Sequence, residues 1–352
     1  MMELNQLLAR LKHTPAMQSK QAIARNVSIN NTTCHADSLD SLYAYPGDDT
    51  AAMPLNGQYI LHACEGMLPS FVANHPYFAG WSAVMANISD IAAMGGRALS
   101  VVNSFWHTRS EHAQLLMQGM QDACRAYGVL LVGGHTNLGV IYQPTLSVAI
   151  QGIAQKLLSV LHVKPQQKIL IALNLKGQFH PNTTYWKCFE RVSDRILQSQ
   201  IALLPQLAEA NLAHAARDIS NAGILGSLLM LLEATASGAD INLDAIPKPE
   251  NVDWFKWLQI FPSFGFLLTA NTSECEGIIE LFHRQGIACA VIGETNASGV
   301  VAVQQQQQYG IFWDFNRQVF TGFCYADALK KLQAQPVQMK PKNQQESMLC
   351  PV

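Results

Sequence analysis

Acidic side chains at four places along the chain are the clearest candidates for chemistry. They are the pair Asp48-Asp49, Glu65, Asp90 and Asp218, and each lies beside a glycine or at the end of a predicted element. Taken singly, each has an ordinary interpretation, because Gly-Asp-Asp is typical of a turn and Asp-Ile-Ser-Asn of a capped helix N-terminus. None is followed by a lysine or arginine at helical spacing, so no surface ion pair is predicted. If these carboxylates converge, their repulsion needs a cation, and Mg²⁺ is the usual one beside a polyphosphate.

A helix predicted between Gly80 and Gly96 carries two of the candidate polar side chains. Apolar residues recur there at three- and four-residue spacing, and the Gly95-Gly96 pair is a natural stop. Asn87 and Asp90 interrupt the apolar run as neighbours on one side of the helix. A cap, an internal hydrogen bond or a solvated edge would each explain them, because a buried polar group needs a partner. The functional hypothesis is that Asp90 faces a metal ion and Asn87 a nucleotide.

The stretch Gly133-Gly134-His135-Thr136 follows a strand predicted at 129–132. Glycines let main-chain N–H groups approach phosphate oxygens, and His135 or Thr136 could add a side-chain donor. His135 could also act as an acid or base near neutral pH. The alternative is a hairpin-like turn. The sequence lacks GxxxxGK[ST], GxGxxG and the kinase VAIK, HRD and DFG motifs, so a P-loop, Rossmann or protein-kinase site is unsupported.

The cysteines do not indicate a nucleophile, a metal site or a disulfide framework. The eight of them are scattered, with no CxxC pair and no histidine beside them at metal-ligand spacing, and GxSxG is also absent. Cys350 is interpreted as a free tail thiol. This pattern is typical of reduced thiols in a cytoplasmic protein.

Composition excludes several classes of partner. The 352 residues include 49% hydrophobic and only 14% charged residues, with a formal net charge of −2. A near-neutral chain has no basic field for nucleic acid or for a membrane surface. Neither a signal peptide nor an apolar run of membrane-spanning length is predicted. The low charge content indicates that much surface is covered, and an obligate oligomer is expected.

Strands and helices alternate along most of the chain, which predicts an α/β or α+β fold with a layered core. Leu4, Leu7, Leu8 and Leu11 predict a first helix that breaks near Pro15 and packs on the body or on a partner. Further helices are predicted at 78–94, 111–127, 205–215, 221–236 and 273–285, and strands at 59–64, 98–105, 129–132, 145–154, 169–173, 264–269 and 288–292. The length favours two domains.

Taken in order, four strings resemble one superfamily. Gly-Asp-Asp-Thr-Ala-Ala from residue 47 is similar to its GDDAA, and Asn-Ile-Ser-Asp-Ile-Ala-Ala-Met-Gly from residue 87 to its N(L/I)SD(L/I)AAMG. Gly-Gly-His-Thr from 133 and Asp-Ile-Ser-Asn-Ala-Gly from 218 complete the set. The superfamily is that of aminoimidazole ribonucleotide synthetase (PurM), thiamine-monophosphate kinase, selenophosphate synthetase and the carbamoyl dehydratase of hydrogenase maturation.

The resemblance implies a fold and a domain organisation. It implies a PurM-like two-domain fold in which the N-terminal domain joins a second subunit in a dimeric β-barrel and the C-terminal domain is α/β. The predicted organisation is a helical arm at 1–40, a domain at 41–163 for ATP, Mg²⁺ and dimerisation, a C-terminal domain at 164–334 and a mobile tail at 335–352.

The resemblance also implies roles for individual residues. The implied metal ligands are Asp48, Asp49, Glu65, Asp90 and Asp218. The implied nucleotide contacts are Asp49, Asn87, Asp90, Gly133, Gly134, His135, Thr136, Ser220 and Asn221. Catalytic roles are expected for His135 and Asp218, with ATP and Mg²⁺ as cofactors.

Departures from the family patterns bear on the substrate. Thiamine-monophosphate kinase is expected to carry aspartates where this chain has Glu65, His135 and Asn221, which argues against that activity. The cysteine and lysine that selenophosphate synthetase carries before its GDDAA have no match, since Cys34 has no lysine beside it. The leading hypothesis is a cytoplasmic, homodimeric enzyme that uses ATP and Mg²⁺ to phosphorylate, or to activate by phosphorylation, a small metabolite. The alternative is a non-catalytic nucleotide-binding scaffold or sensor.

Overall fold

The fold is taken from a computed structural model of the chain, which describes residues 3–26, 46–139, 143–327 and 329. The predicted tail at 335–352 with Cys350, and the part of the predicted arm beyond residue 26 with Cys34, lie outside the described residues. None of the described helices has both the length and the apolar character needed to cross a bilayer.

Ten helices and fifteen strands make up the described chain. The helices are α1 (Leu4–Lys12), α2 (Pro15–Asn26), α3 (Pro69–Asn74), α4 (Pro76–Ala93), α5 (Ser110–Tyr127), α6 (Asp194–Ile201), α7 (Leu203–Glu209), α8 (Gly223–Glu233), α9 (Trp254–Trp257) and α10 (Cys275–Arg284). The strands are β1 (Ala51–Leu55), β2 (Gln58–Met67), β3 (Arg97–His107), β4 (Leu130–Leu138), β5 (Thr145–Ala154), β6 (Lys168–Leu173), β7 (Gln178–Phe179), β8 (Tyr185–Lys187), β9 (Ala215–Asp218), β10 (Gly238–Asn242), β11 (Phe261–Pro262), β12 (Gly265–Ala270), β13 (Ala288–Asn296), β14 (Val300–Gln305) and β15 (Gln308–Asp314).

The N-terminal sheet consists of β1 to β5 in the order β1-β2-β5-β3-β4. Only β3 and β4 run parallel, and the other neighbours are antiparallel. Helices α4 and α5 pack together, and α4 covers one face of the sheet. The opposite face leaves large apolar side chains exposed: Met53, Leu55, Leu99, Val102, Trp106, Leu130 and Val132. Among the described strands this sheet is open, so the predicted barrel would need further strands.

The C-terminal sheet has seven strands in the order β15-β14-β10-β13-β6-β12-β9. Strands β6 and β12, which are adjacent interior strands of this sheet, are almost entirely apolar and buried, as expected for strands covered on both faces. Helix α8 is buried along its whole length on one side of this sheet, whereas α7 and α10 contribute to a separate cluster with Phe264 and Phe266. The mixed α/β prediction is therefore confirmed.

The N-terminal helices pack on the body of the same chain. Leu4, Leu7, Leu8 and Leu11 are all buried in the core of the C-terminal sheet, which explains their spacing. The Leu4 amide also donates to Gln308 at 2.6 Å. Of the two predicted alternatives, body or partner, the structure shows the body.

Most predicted elements match the observed ones within a few residues, and two differ for physical reasons. The helix predicted at 205–215 stops at Glu209, because β12 recruits Ala215–Asp218 as an edge strand. Strand β4 does not end before the glycine pair but continues to Leu138, because β3 pairs with it through Gly133 and Thr136. The loop and hairpin-turn conformations expected at this stretch are both wrong, whereas phosphate binding by these residues stays a prediction.

The pair α4–α5 depends on two glycines at its closest approach. A Cβ atom added to Gly80 would lie 2.1 Å from the Leu116 carbonyl oxygen, and one added to Gly119 would lie 2.0 Å from the Tyr77 carbonyl oxygen. Backbone cannot yield as a flexible side chain can, so α4 can approach α5 this closely only without those methyl groups. This contact fixes the helix that carries Asn87 and Asp90.

We expect Gly119→Ala to lower the free energy of unfolding by about 1–3 kcal/mol through overpacking. Gly277→Ala is the matched control, since it also lies within a helix and a Cβ there meets no atom within 4 Å. The control should raise stability by about 0.5–1 kcal/mol because glycine disfavours a helix interior. Urea unfolding measures both, and equal effects of the two substitutions would contradict the close helix contact.

Candidate functional site

Three of the predicted metal ligands converge in the structure. Asp49, Asp90 and Asp218 each place a carboxylate oxygen within 4.8 Å of the other two. Asp90 and Asp218 are 7% and 4% exposed. The Oδ2 atom of Asp90 is buried and has no hydrogen-bond partner among the described residues. We call these three residues the acidic cluster.

The acidic cluster forms where three separate parts of the chain meet. Asp90 lies in the last turn of α4, and Asp218 is the last residue of β9, against which α4 packs. Asp49 comes from the loop before β1, and its Oδ2 accepts the Asp218 amide at 3.1 Å. After Ala93 the amides of Gly95 and Gly96 bond back to the last turn of α4, as the glycine stop predicts. The site therefore joins the N-terminal and C-terminal sheets.

Burial and mutual repulsion make the charged state of this cluster unfavourable. The pKa of Asp90 is raised well above its usual value, first by burial and then by the charges of Asp218, Glu65 and Asp49. The pKa of Asp218 is raised well above its usual value, first by burial and then by Asp49, while Arg217 opposes the shift. A divalent cation would relieve the same repulsion that raises these pKa values.

Two cations that the sequence analysis missed face these acids. Arg217 Nη2 lies 3.0 Å from Asp49 Oδ1, and Arg217 also donates to the Gly47 carbonyl oxygen. Burial raises the pKa values of Asp49, Glu65 and Asp218, and the positive charge of Lys20 on α2 opposes this rise. The expectation that no arginine or lysine pairs with these acids is wrong for Asp49, because helical spacing cannot detect a partner on a distant strand. An arginine inside the apolar run Ala-Ala-Arg-Asp-Ile was the available signal for Arg217, whereas no motif marked Lys20.

Asp48 is not a member of the acidic cluster. Its carboxylate accepts the Ser159 hydroxyl at 2.6 Å and the Val160 amide at 2.8 Å. Burial nevertheless raises its pKa to about 7, against the opposing effect of those two hydrogen bonds. Its observed contacts tie the acidic loop to the short 3-10 helix at 160–162.

The loop that carries Asp48 and Asp49 is held from a second side by residues 320–325, which we call the C-terminal clasp. The Tyr325 hydroxyl donates to the Pro46 carbonyl oxygen at 2.7 Å, and Phe323 packs against Gly47. Glu233, buried at the end of α8, accepts the amides of Phe320, Thr321 and Gly322 and the Thr321 hydroxyl, and so fixes the clasp.

Asn87 is fully buried and makes the internal hydrogen bonds that the sequence offered as an alternative. Its Nδ2 donates to the Ala83 carbonyl at 2.7 Å and to the Val148 carbonyl on β5 at 3.0 Å. Its Oδ1 is buried and accepts no hydrogen bond from any residue that the structure describes. A nucleotide contact by Asn87 stays a prediction.

A cavity of about 230 Å³ adjoins the acidic cluster, and Glu65 and Asn221 line it. Glu65 lies outside the group of three converging carboxylates, although burial and the Asp49 charge raise its pKa. Asn221 is exposed rather than a helix cap, since α8 begins at Gly223. Ser220 is half-buried and its amide donates to Ser227.

The stretch from Gly133 to Thr136 lies apart from the acidic cluster within one chain. All four residues are exposed on the edge strand β4, beside β3. His135 lies 6.2 Å from the ring of Trp106, which is on the uncovered face of the N-terminal sheet. Its Nε2 lies 3.0 Å from Asn137 Nδ2. The structure does not bring His135 to Asp90 or Asp218.

Comparison with known families identifies the class of protein. Residues 47–154 match the N-terminal domain of the AIR synthase related proteins, and residues 172–306 match their C-terminal domain. The chain therefore belongs to the AIR synthase-related family, within the PurM-like superfamily, and the predicted resemblance is confirmed.

Individual relatives differ in how much is known of them. The chain is 38% identical over 278 residues to the uncharacterized protein sll0787 of Synechocystis, covering 79% of this chain and 86% of that one. It is 25% identical over 284 residues to the selenide, water dikinase of Aeromonas hydrophila, covering 74% and 79%.

Solved structures share the fold at low sequence identity. Thermotoga maritima PurL complexed with ATP superposes with a TM-score of 0.66 at 19% identity, over 78% of this chain and 46% of PurL. This chain therefore spans a little under half of PurL. AaThiL complexed with AMPPCP and TMP gives a TM-score of 0.57 at 17% identity, over 74% and 89% of the two chains.

The raised pKa values predict how stability depends on pH in the metal-free protein. A carboxyl group whose pKa is higher in the folded state stabilises the fold while it is protonated, and this contribution is lost as pH rises through the folded pKa. We therefore expect Asp90→Asn, which keeps the shape without the charge, to be more stable than the parent at pH 8 in chelator. The gain should grow as pH rises, because the parent must then bury a charge that the asparagine amide does not carry.

Thermal unfolding at pH 5 and pH 8 with EDTA measures this difference, which should be larger at pH 8. Asp122→Asn on the surface of α5 is the control, since that side chain lies outside the cluster and should show little change in the difference with pH. If the difference in thermal stability between the parent and Asp90→Asn does not grow with pH, the buried repulsion is contradicted.

Proposed function

We propose that this protein is an Mg²⁺- and ATP-dependent enzyme that transfers a phosphoryl group to an oxygen of a small metabolite, or activates that oxygen by phosphorylation. The observation that carries the proposal is the convergence of Asp49, Asp90 and Asp218 at the joint between the two sheets. Relatives with ATP-dependent names and solved structures with ATP or AMPPCP support it. In such a transfer the acceptor oxygen bonds to the γ-phosphorus, the bond to the β–γ bridging oxygen breaks, and ADP leaves.

The acidic cluster fits a hard cation. It offers carboxylate oxygens as ligands, and Oδ2 of Asp90 is buried with no partner among the described residues. With Glu65 the acids number four, and the cations that act on them are Arg217 and Lys20. Mg²⁺, when bound, would neutralise phosphate charge. Asp49, Asp90 and Asp218 would hold it, with Glu65 as a further proposed ligand, whereas Asp48 would support the loop that carries Asp49.

The remaining proposed contacts position the nucleotide. The unpartnered Oδ1 of Asn87 and the polar groups of Ser220 and Asn221 would orient it, and Lys20 would bind a phosphate oxygen. Catalysis then rests on positioning and on charge compensation, and no protein nucleophile is required.

We propose further that the working form is a homodimer in which a second copy covers the open face of the N-terminal sheet. That face exposes apolar residues, and its edge strands β1 and β4 lack a second neighbour among the described strands. Closure by a second sheet would give the predicted barrel. Gly133, Gly134, His135 and Thr136 would then contact the nucleotide held by the other copy, with His135 donating to phosphate or acting as an acid or base.

A non-catalytic nucleotide-binding scaffold or sensor is the second candidate. It is favoured by Glu65 lying outside the converging acids and by His135 standing on the far face of the sheet. Both candidates bind ATP, so they differ in turnover. ADP release that a metabolite stimulates would exclude the scaffold.

Calorimetric titration with Mg²⁺ and the ATP analogue AMPPCP tests the metal site. Asp90→Asn and Asp49→Asn should each weaken binding at least tenfold, because each removes a charged oxygen ligand. Asp48→Asn distinguishes a metal ligand from a residue that only supports the loop, because the observed contacts of Asp48 are with Ser159 and Val160. We expect it to lower thermal stability and to weaken binding by less than threefold. Absence of binding, or binding unchanged in Asp90→Asn, would refute the proposal.

Mixed dimers test the shared site. Asp90→Asn and His135→Ala homodimers should both lose metabolite-stimulated ADP release. Mixing them after mild dissociation should restore roughly a quarter of parental activity, because half of the dimers are mixed and each holds one intact site. No recovery with proven subunit exchange would place His135 outside the site of the other copy.

A further inference from the structure

The cavity beside the acidic cluster has two chemically different ends. Glu65 and Asn221 lie at the end nearest the acidic cluster. The charge of Asp49 acts on Glu65, and Asn221 comes shortly after Asp218 at the end of β9. Five aromatic side chains line the cavity, and four of them, from four separate segments, group at the other end: Phe71, Phe78, Tyr185 and Phe261. We call this end the aromatic basket.

The basket is rigid before any ligand enters. The rings of Phe71 and Phe78 meet edge to face with centroids 5.3 Å apart, and Tyr185 lies 5.2 Å from Phe71 and 5.9 Å from Phe261. Each ring is held by another, so little side-chain freedom remains to be lost on binding. Ring faces and edges presented in fixed directions favour a planar aromatic guest over an aliphatic one of equal size.

The basket also favours an uncharged ring. Lys187 is the cation closest to the aromatic rings, 5.5 Å from the Phe78 centroid, and it is already paired with Glu190. The Ser263 hydroxyl accepts the Cys188 amide at 2.8 Å. The other charged residues that line the cavity, Lys20 and Glu65, lie at the end near the acidic cluster. A ligand that fills both ends would place its ring in the basket and its hydroxyl toward the acidic cluster.

We propose, on the basis of the phosphoryl-transfer function above, that the cavity binds the phosphoryl acceptor and that this acceptor is a small alcohol with an uncharged planar ring. Helix α2 forms one wall through Ser19, Lys20 and Ile23, so the N-terminal arm takes part in substrate binding. Part of the specificity for the acceptor therefore lies outside the two family-wide domains.

Benzyl alcohol and cyclohexylmethanol are matched probes, since they differ in ring planarity and hardly in size. Saturation-transfer NMR of the full chain with Mg²⁺ and AMPPCP should show benzyl alcohol binding at least fivefold more tightly. Phe261→Leu should weaken benzyl alcohol at least threefold and leave AMPPCP affinity unchanged. Phe315→Leu is the control, because Phe315 is equally half-buried but packs elsewhere, and it should change neither affinity.

Equal affinity for the two alcohols, or no binding of either while AMPPCP still binds through Asp90, would overturn the substrate class and leave the proposed function intact. Displacement of benzyl alcohol by AMPPCP would assign the basket to the nucleotide base and overturn the proposal. Failure of AMPPCP itself to bind would instead refute the function on which the inference rests.

Discussion

The structure depends on the cost of burying carboxylates together. Burial raises the pKa values of Asp49, Asp90, Asp218 and Glu65, and the charge of Asp49 raises those of the other three further. Among the described residues, the charges of Arg217 and Lys20 oppose these shifts. A fold keeps such a group only if neighbouring contacts hold it in place against its repulsion. Three sets of contacts hold the carboxylates here. They are the close packing of α4 on α5 at two glycines, the pairing of edge strand β9, and the bonds of Ser159 and Arg217 to the loop that carries Asp49.

Arg217 has a double role in this balance. Its ion pair compensates Asp49, and its bond to the Gly47 carbonyl holds the backbone that carries Asp49. An arginine is better suited than a lysine to two such contacts, because its planar guanidinium carries several donors in fixed directions. The second domain therefore contributes both a cation and a carboxylate, on adjacent residues of one strand, to a site whose other acids belong to the first.

The sequence was sufficient for what is local or strongly patterned. Periodicity located α4, α5 and β5 closely, and the four strings identified the superfamily and three converging acids. It was insufficient where long-range partners decide the outcome. Pairing with β3 turned the glycine-rich stretch into strand β4, the clasp and Ser159 engaged the loop around Asp48, and Arg217 and Lys20 came from positions that no local spacing marks. The aromatic basket draws on segments nearly 200 residues apart, and only the folded chain shows it.

The clasp at 320–325 has a consequence for the order of assembly during synthesis. Residues 46–49 leave the ribosome early, but their backbone is held by Tyr325, and Tyr325 is held through the bonds of Glu233 to the preceding amides. A nascent chain that has completed only its first sheet has Asp90 on α4 without the contacts that hold Asp49 beside it. Under the proposed function, competence to bind the metal would arrive with the last part of the described chain, so a truncated translation product would not sequester nucleotide.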